Sequence, residues 1–290
     1  MPQPSALWAG SSAASEPDME ELLASIARGL EGADHDTVAR IPANTLPNFI
    51  VIGAAKSATT TLTRVLGRHP DIFMAKPKEP KFFGRRYDKG WSWYAKLFED
   101  GSQARLRGEG STMYSSTLPS FEHTAALMHT YLPATKIIYM TRHPLDRLVS
   151  QWRHIKGKHP ATREFYQLLE TSRLQHFLIG CSLYYQRISS FRRYFPDEQI
   201  LCLTFEDLLT SPQHTLQTVL DFLALPGEAG QLLNGGTHLP LVNEAGQQGR
   251  RYVDKPEWPW LMKWRVARRL KADTRKFLGY IDKPADYWKL

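Results

Sequence analysis

The chain has 290 residues, 42% of them hydrophobic and 23% charged, with 19 Gly and 19 Pro. That is an ordinary globular composition, enough for one large domain or two small ones, and no stretch reaches the roughly 20 apolar residues of a membrane span. Two cysteines, Cys181 and Cys202, exclude a disulfide framework and a four-thiolate zinc site.

Charge is unevenly spread. The chain carries +8 overall, but residues 1–45 hold two basic side chains (Arg28, Arg40) against seven acidic ones, leaving +13 on the remainder. A basic body behind an acidic leader points to an anionic partner. The N-terminus has no positive charge ahead of an apolar run, so no secretory signal is expected and a reducing cytoplasm is the default location.

In chain order, residues 1–15 are rich in Ser, Ala and Pro and read as disordered. Met19, Leu22, Leu23, Ile26 and Leu30 recur at helical spacing and predict one short amphipathic helix. A linker through Pro42 and Pro47 follows. Residues 1–45 are therefore read as a flexible acidic leader, dispensable for chemistry, and residues 46–290 as the working domain.

Phe49–Gly53, Lys136–Thr141 and Gln199–Phe205 are continuous apolar runs, the pattern of strands buried on both faces of a parallel sheet. A weaker strand is expected near Arg107–Glu109. Helices are predicted over Thr59–Gly67, Pro119–Tyr131, Pro144–Ile155 and Pro212–Leu223. The alternation predicts a single-domain α/β fold, a P-loop-like central parallel sheet flanked by helices on both faces. Ligands of such sheets gather at the carboxyl ends of strands.

The first strand runs into Gly53-Ala54-Ala55-Lys56-Ser57-Ala58-Thr59-Thr60. A strand, a turn of small residues and a helix N-terminus present backbone N–H groups to an anion, and Lys56 adds a full charge. An ordinary N-cap is the plainer alternative. A Walker A loop is excluded by spacing, because its second glycine and its lysine would fall on Ala58 and Thr59. The third apolar strand ends in Thr141-Arg142-His143-Pro144, with Ser150 eight residues after Arg142. An arginine fork plus a hydroxyl suits a second phosphate, although a structural ion pair would use Arg142 equally well. In the tail, Trp258, Trp260 and Trp264 interleave with Lys263, Arg265, Arg268 and Arg269. This reads as an amphipathic helix burying its tryptophans in preference to a nucleic-acid clamp.

KSATTT after a first strand and RHPLDRLVS after a later one resemble the sulfotransferase superfamily. The run GAAKSATTTLTRVLGRHPDIFMAKPKEPKFF is similar to the branch containing heparan-sulfate sulfotransferase domains and their bacterial relatives. Tyr184 to Leu225 also resembles the family, and the likeness spans about residues 47–225. It implies 3′-phosphoadenosine 5′-phosphosulfate (PAPS) as cofactor, with adenosine 3′,5′-bisphosphate as product. By the resemblance Lys56, Ser57, Ala58, Thr59 and Thr60 would hold the 5′-phosphosulfate, and Arg142 and Ser150 the 3′-phosphate. Gly249, Arg250 and Arg251 would stand for the family's late basic loop over the cofactor, within a basic, helical segment 226–290 covering the site. Glu79 of Glu79-Pro80-Lys81-Phe82-Phe83 falls where that branch places its general base. Two positions depart from the pattern. Ala58 stands for the usual loop glycine, and Gly110 of Glu109-Gly110-Ser111 stands where glycosaminoglycan enzymes commonly carry lysine, which argues against an extended polyanionic acceptor.

The residues support this chemistry directly. Charge builds on a leaving phosphate oxygen during sulfuryl transfer, and Lys56 with the loop N–H groups is suited to stabilise it. No metal is demanded, and the ten histidines form no H-E-x-x-H pattern. A base assists a weakly acidic alcohol by typically 10²–10⁴-fold. Glu79, held out of helix by Pro77 and Pro80, is the first candidate, with a surface pair to Lys78 or Lys81 as its alternative. His154, one turn beyond Ser150 on the same helix face, is a reserve base or acceptor contact, or simply a packing residue. The expected acceptor is a small molecule or glycan, sulfated on a hydroxyl or an amine. No nucleic-acid or membrane partner is expected, in a monomer or homodimer. The alternatives are a nucleotide-dependent phosphotransferase and a non-enzymatic binder of nucleotides or nucleic acid.

Overall fold

Five short parallel strands in the order β2-β3-β1-β4-β5 form the centre of the molecule, as seen in a computed structural model. It describes residues 19–160, 164–170, 172–233, 239 and 252–290. The chain begins there with helices α1 (Met19–Leu30) and α2 (His35–Ala39), then enters β1 (Phe49–Gly53) and α3 (Thr59–Leu66). β2 (Ile72–Met74), α4 (Gly90–Lys96), β3 (Leu106–Gly110) and α5 (Thr124–Tyr131) follow, and then β4 (Lys136–Thr141) and α6 (Pro144–Lys158). The remaining elements are α7 (Phe165–Glu170), α8 (Ser172–Gly180), α9 (Tyr184–Arg192), β5 (Ile200–Thr204), α10 (Phe205–Thr210), α11 (Pro212–Phe222) and α12 (Trp260–Tyr280). No described helix is long and apolar enough to cross a membrane.

The apolar runs are buried on both sides, as their lack of alternation requires. Phe49 and Val51 of β1 face α3 and α11, whereas Ile50 and Ile52 face a larger, aromatic-rich cluster with α1, α4, α5, α9 and α12. The sheet is therefore covered by helices on both faces in one domain. β1 pairs with both β3 and β4. The chain leaves β1 towards β2 on one side and leaves β4 towards β5 on the other, so their carboxyl ends flank a topological switch point, where open α/β sheets bind ligands.

Three differences from the sequence reading, and the weakness of the β3 signal, have physical causes. β2 is only three residues long, too short for a periodic signal. β3 reads weakly because it is LRGEG, and Gly108 is needed there: a Cβ would stand 2.2 Å from the Phe49 ring. The helix expected from Pro119 divides into a 3-10 turn, Pro119–Phe121, and α5. In α12 the buried stripe is Val266, Leu270, Thr274, Phe277 and Leu278, and Trp260 and Trp264, which precede it on the helix, are 78% and 52% exposed. The tail is an amphipathic helix, but it does not bury those two tryptophans.

The amphipathic helix predicted near residue 19 is α1. Leu22 and Ile26 enter the aromatic-rich cluster, while Met19 and Leu23 face outward. Tyr131 donates its hydroxyl proton to the Gly29 carbonyl (2.6 Å), and Tyr87 donates to Asp34 (2.6 Å). Residues 19–45 of the segment read as a leader thus pack onto the body.

Candidate functional site

β1 delivers the chain to the crevice at Gly53, where no side chain fits, because a Cβ would stand 2.1 Å from Ser115 Oγ. The loop then turns sharply, with Lys56 (φ 72°) and Ala58 (φ 62°) both in the left-handed region. Glycine occupies that region without the roughly 1–2 kcal/mol that a Cβ costs there, so Ala58 is a strained choice. The turn points the first N–H groups of α3 into the crevice. No side chain among the described residues caps this helix end, so its partial positive charge is open to a ligand. Ser57 is wholly buried, yet its hydroxyl has no hydrogen-bond partner among the described residues. A buried polar group of this kind requires an explanation, and an anion in the loop supplies one.

Across the crevice, Arg142 directly follows β4. Its guanidinium stacks 4.4 Å over the Phe205 ring, and one Nη reaches the Lys56 carbonyl at 3.5 Å. The Arg142 carbonyl accepts a hydrogen bond from Tyr184 (2.7 Å), while Nε is buried without a partner among the described residues. The following turn is fixed by Glu206, which accepts from the His143 N–H (2.8 Å) and from Trp288 Nε1 (3.1 Å). α6 then carries Ser150, half-buried, and His154, whose Nδ1 lies 3.4 Å from Lys56 Nζ. The structure thus brings Lys56, Ser57, Arg142 and His154 to one crevice. Thr59 and Thr60 open α3 beside them. Gly249, Arg250 and Arg251 lie outside the described residues.

Glu79 sits at the carboxyl end of β3. Its N–H donates to the Gly110 carbonyl at 3.1 Å, and its own φ is 66°. The Thr112 N–H donates to both carboxylate oxygens (3.2 and 3.1 Å) and the Thr112 hydroxyl to Oε1 (2.9 Å). Lys78 Nζ also reaches Oε1 at 2.9 Å. The surface pair considered as the alternative therefore exists, but the carboxylate is also clamped to β3, which a freely solvated pair is not. The Lys81 amine is pushed down by burial and pulled back by Glu79, with Arg85, Arg86 and Lys158 adding repulsion, so several cations converge around Lys81.

Sequence reasoning assigned no role to Glu109. Its carboxylate is wholly buried and accepts hydroxyl donors from Tyr114 (2.6 Å), Ser111 (2.7 Å) and Tyr94 (3.0 Å). Burial raises its pKa to about 7, against the lowering effect of those hydrogen bonds. Ser111 Oγ in turn accepts the Lys81 N–H (2.9 Å). Glu109 thereby ties the Glu79 loop to β3. The available signal was a lone glutamate between the two glycines of LRGEG.

A family model described as a sulfotransferase domain matches residues 46–252. Among curated relatives, heparan sulfate glucosamine 3-O-sulfotransferase 3B1 of Homo sapiens is 31% identical over 186 residues, 62% of this chain and 46% of that protein. The membrane-associated sulfotransferase kil1 of Dictyostelium discoideum is 39% identical over 110 residues, 37% of this chain and 22% of that protein. The chain spans about half the length of the heparan sulfate relatives it matches. Among solved structures, a sulfotransferase from Alicyclobacillus acidocaldarius superposes with a TM-score of 0.66 at 23% identity, covering 84% of this chain and 99% of that one. The sulfotransferase domain from the curacin biosynthetic pathway gives 0.52 at 16% identity, covering 82% and 98%. At such identities these two likenesses speak for the fold.

Proposed function

The chain belongs to the sulfotransferase family, and from that premise we propose an enzyme that uses PAPS to sulfate a hydroxyl or amine of a small-molecule or glycan acceptor. The observation that carries this reading is the crevice between β1 and β4. There a buried, unpartnered Ser57 hydroxyl lies in the Lys56 loop, which Arg142 reaches from the opposite strand. A multi-oxygen anion satisfies such donors, whereas an apolar ligand leaves them unpaired at a cost of about 1–3 kcal/mol each.

In this reading Lys56, Ser57, Thr59, Thr60 and the N–H groups around Ala58 hold the 5′-phosphosulfate. Arg142 and Ser150 hold the 3′-phosphate. When bound, the cofactor supplies an already activated sulfuryl group, and the chain's residues supply position, charge and a proton acceptor. Lys56 concentrates positive charge at the loop before reaction begins, which avoids reorganisation. His154 accepts from the Lys56 ammonium through Nδ1 and steers it, an assignment we prefer to the reserve-base role. Glu79 takes the acceptor's proton on a carboxylate that Thr112 holds in place. Lys78 supplies a cation beside it, and its Cε lies 3.7 Å from where a Cβ at Gly110 would stand. A lysine thus reaches the Gly110 corner from another position, which keeps anionic acceptors within the reading. No metal enters this mechanism, and a cytoplasmic location belongs to the same reading.

The test is release of adenosine 3′,5′-bisphosphate from PAPS over a panel of hydroxylated and amine-bearing acceptors, with excess EDTA present. Acceptor-dependent release is expected, and Lys56→Ala should lower it by roughly 10²-fold or more. Near-normal turnover by that variant overturns the assignment. Selective binding of ATP over the bisphosphate would favour a phosphotransferase instead.

A further inference from the structure

The outer face of α12 is built for a partner. Its inner stripe, from Val266 to Leu278, fixes the helix to the body, so its exposed surface is already folded and presented. At the start of that surface Trp260, Leu261 and Trp264 are 78%, 40% and 52% exposed. Few large apolar side chains of the described residues are this open, and these three lie within five positions. Tyr252, just before the helix, is also exposed.

Basic residues surround this apolar tip. Lys263, Arg265, Arg268, Arg269 and Lys271 are all exposed, and the Arg268 guanidinium stands 4.9 Å over the Trp264 ring. The helix has one acidic residue, Asp273. It is turned inward, where its two oxygens accept the Tyr185 and Gln186 N–H groups (3.0 and 2.9 Å). The outward face therefore combines indoles, a leucine and positive charge, with the negative charge withdrawn.

We infer that this face docks on an anionic lipid surface, with Trp260, Leu261 and Trp264 seated at headgroup level and Arg265, Arg268 and Lys271 against acidic headgroups. Indole rings favour the boundary between headgroups and acyl chains, and a basic polar face with an apolar edge is the composition of helices that lie in that boundary. Charge complementarity selects an anionic leaflet over a neutral one. A polyanionic glycan or nucleic acid would use the cations but gives Leu261 no reason to be exposed. A second copy of the chain would set the same basic residues against each other across a two-fold axis, which is repulsive.

The docked face would lie close to the candidate site. The segment leading into α12 is bound to α6 and α7: Arg153 Nε of α6 donates to the Val253 carbonyl (2.7 Å), and Trp258 packs edge-on against Phe165 of α7 (4.6 Å). α6 carries Ser150 and His154, so a bound membrane would lie on the flank of the crevice. The docking itself is independent of the reaction proposed above and stands or falls separately from it.

The test uses the full chain with vesicles of phosphatidylcholine, alone or with one-third phosphatidylserine, at near-physiological salt. Co-sedimentation with the anionic vesicles only is expected, with blue-shifted tryptophan fluorescence and protection from an aqueous quencher. W260S/W264S should weaken that binding by at least about tenfold, with the far-ultraviolet circular dichroism and melting temperature of the wild type, because both side chains are exposed. R265Q/R268Q/K271Q should weaken it and flatten its salt dependence. Binding of W260S/W264S equal to wild type overturns the proposal, since general basic charge then suffices. Absence of vesicle binding overturns it too. If W260S/W264S instead abolishes heparin or DNA binding, or a dimer seen by ultracentrifugation, with no effect on vesicles, the occupant is that partner and not a membrane.

Discussion

Two carboxylates at the end of β3 differ in environment, and under the reading proposed above the difference divides their work. Glu79 is about a quarter exposed and clamped by Thr112, whereas Glu109 is sealed among hydroxyls. A base must reach its substrate, so Glu79→Gln should preserve cofactor affinity and lose kcat by roughly 10²–10⁴-fold. His154→Asn should lose less and should weaken cofactor binding as well, because it loosens Lys56. The reverse ranking in steady-state kinetics would move the base to His154. Glu109 enters through stability. Its folded pKa of about 7 lies above the unfolded value near 4.5, so the folded chain binds the proton more tightly. The stability this contributes is full below about pH 4.5 and is lost as pH rises through about 7. At about 1.4 kcal/mol per pH unit the loss is about 3 kcal/mol. Glu109→Gln keeps an acceptor for the tyrosines and cannot ionise. Its melting temperature should gain on wild type between pH 4.5 and 7 and run parallel above. A constant difference across that range would show that Glu109 ionises at the same pH folded and unfolded, and a difference still widening above pH 7 that it stays protonated in the folded chain. Of these candidates, Lys56 and Arg142 were legible in the sequence because each follows an apolar strand, and Glu79 because its motif resembles that of the family. The hold of Glu109 on the Glu79 loop was not, because it passes through hydroxyls of Tyr94, Ser111 and Tyr114 that only the fold brings to one point.

Elements divide in the same way. β1 and β4 were legible because a strand buried on both faces has no polar alternation to obscure it. α1 was legible as a helix from its period, but its partner was not. The surface receiving Leu22 and Ile26 includes Tyr87, Trp91 and Tyr131, 60 or more residues away in the chain. That docking changes what truncation should do. Removing residues 1–18 leaves the α1 contacts intact. Removing residues 1–45 strips cover from a buried aromatic cluster and takes away the partners of two tyrosine hydroxyls, Gly29 and Asp34. The longer deletion should aggregate or melt several degrees lower, and Leu22→Ala alone should cost about 2–5 kcal/mol by the cavity it leaves. Chemical denaturation of Leu22→Ala measures this directly. A midpoint equal to wild type would mean that α1 is peripheral to the folded core, and residues 1–45 would then behave as the dispensable leader read from the sequence.

At the scale of the whole molecule, the crevice joins halves of the sheet that the chain builds separately, since β1 leads to β2 and β3 on one side and β4 leads to β5 on the other. The described link between the Lys56 loop and Arg142 is a single long contact of 3.5 Å. β1 and β4 are paired in the sheet, and a ligand bearing two separated phosphates would add a second bridge between the loops at their carboxyl ends. Adenosine 3′,5′-bisphosphate should therefore stabilise the entire fold. At a concentration one hundred times its dissociation constant the linkage is worth about 2.7 kcal/mol, or about 5–10 °C in melting temperature for a chain of this size. Adenosine 5′-phosphate engages only the β1 side and should give a smaller shift at the same concentration. Arg142→Ala should bring the two shifts together, since a charge-assisted arginine–phosphate contact is worth roughly 1.5–3 kcal/mol, or about 10- to 150-fold in affinity. The variant need not unfold, because Arg142 makes few of the contacts that hold β4 between β1 and β5. Thermal melts of both proteins with both nucleotides decide the matter. If the wild type responds equally to the two nucleotides, Arg142 and Ser150 do not read a 3′-phosphate. If it responds to neither, the unpartnered Ser57 hydroxyl needs another ligand, and the reading of this crevice as a nucleotide site fails with it.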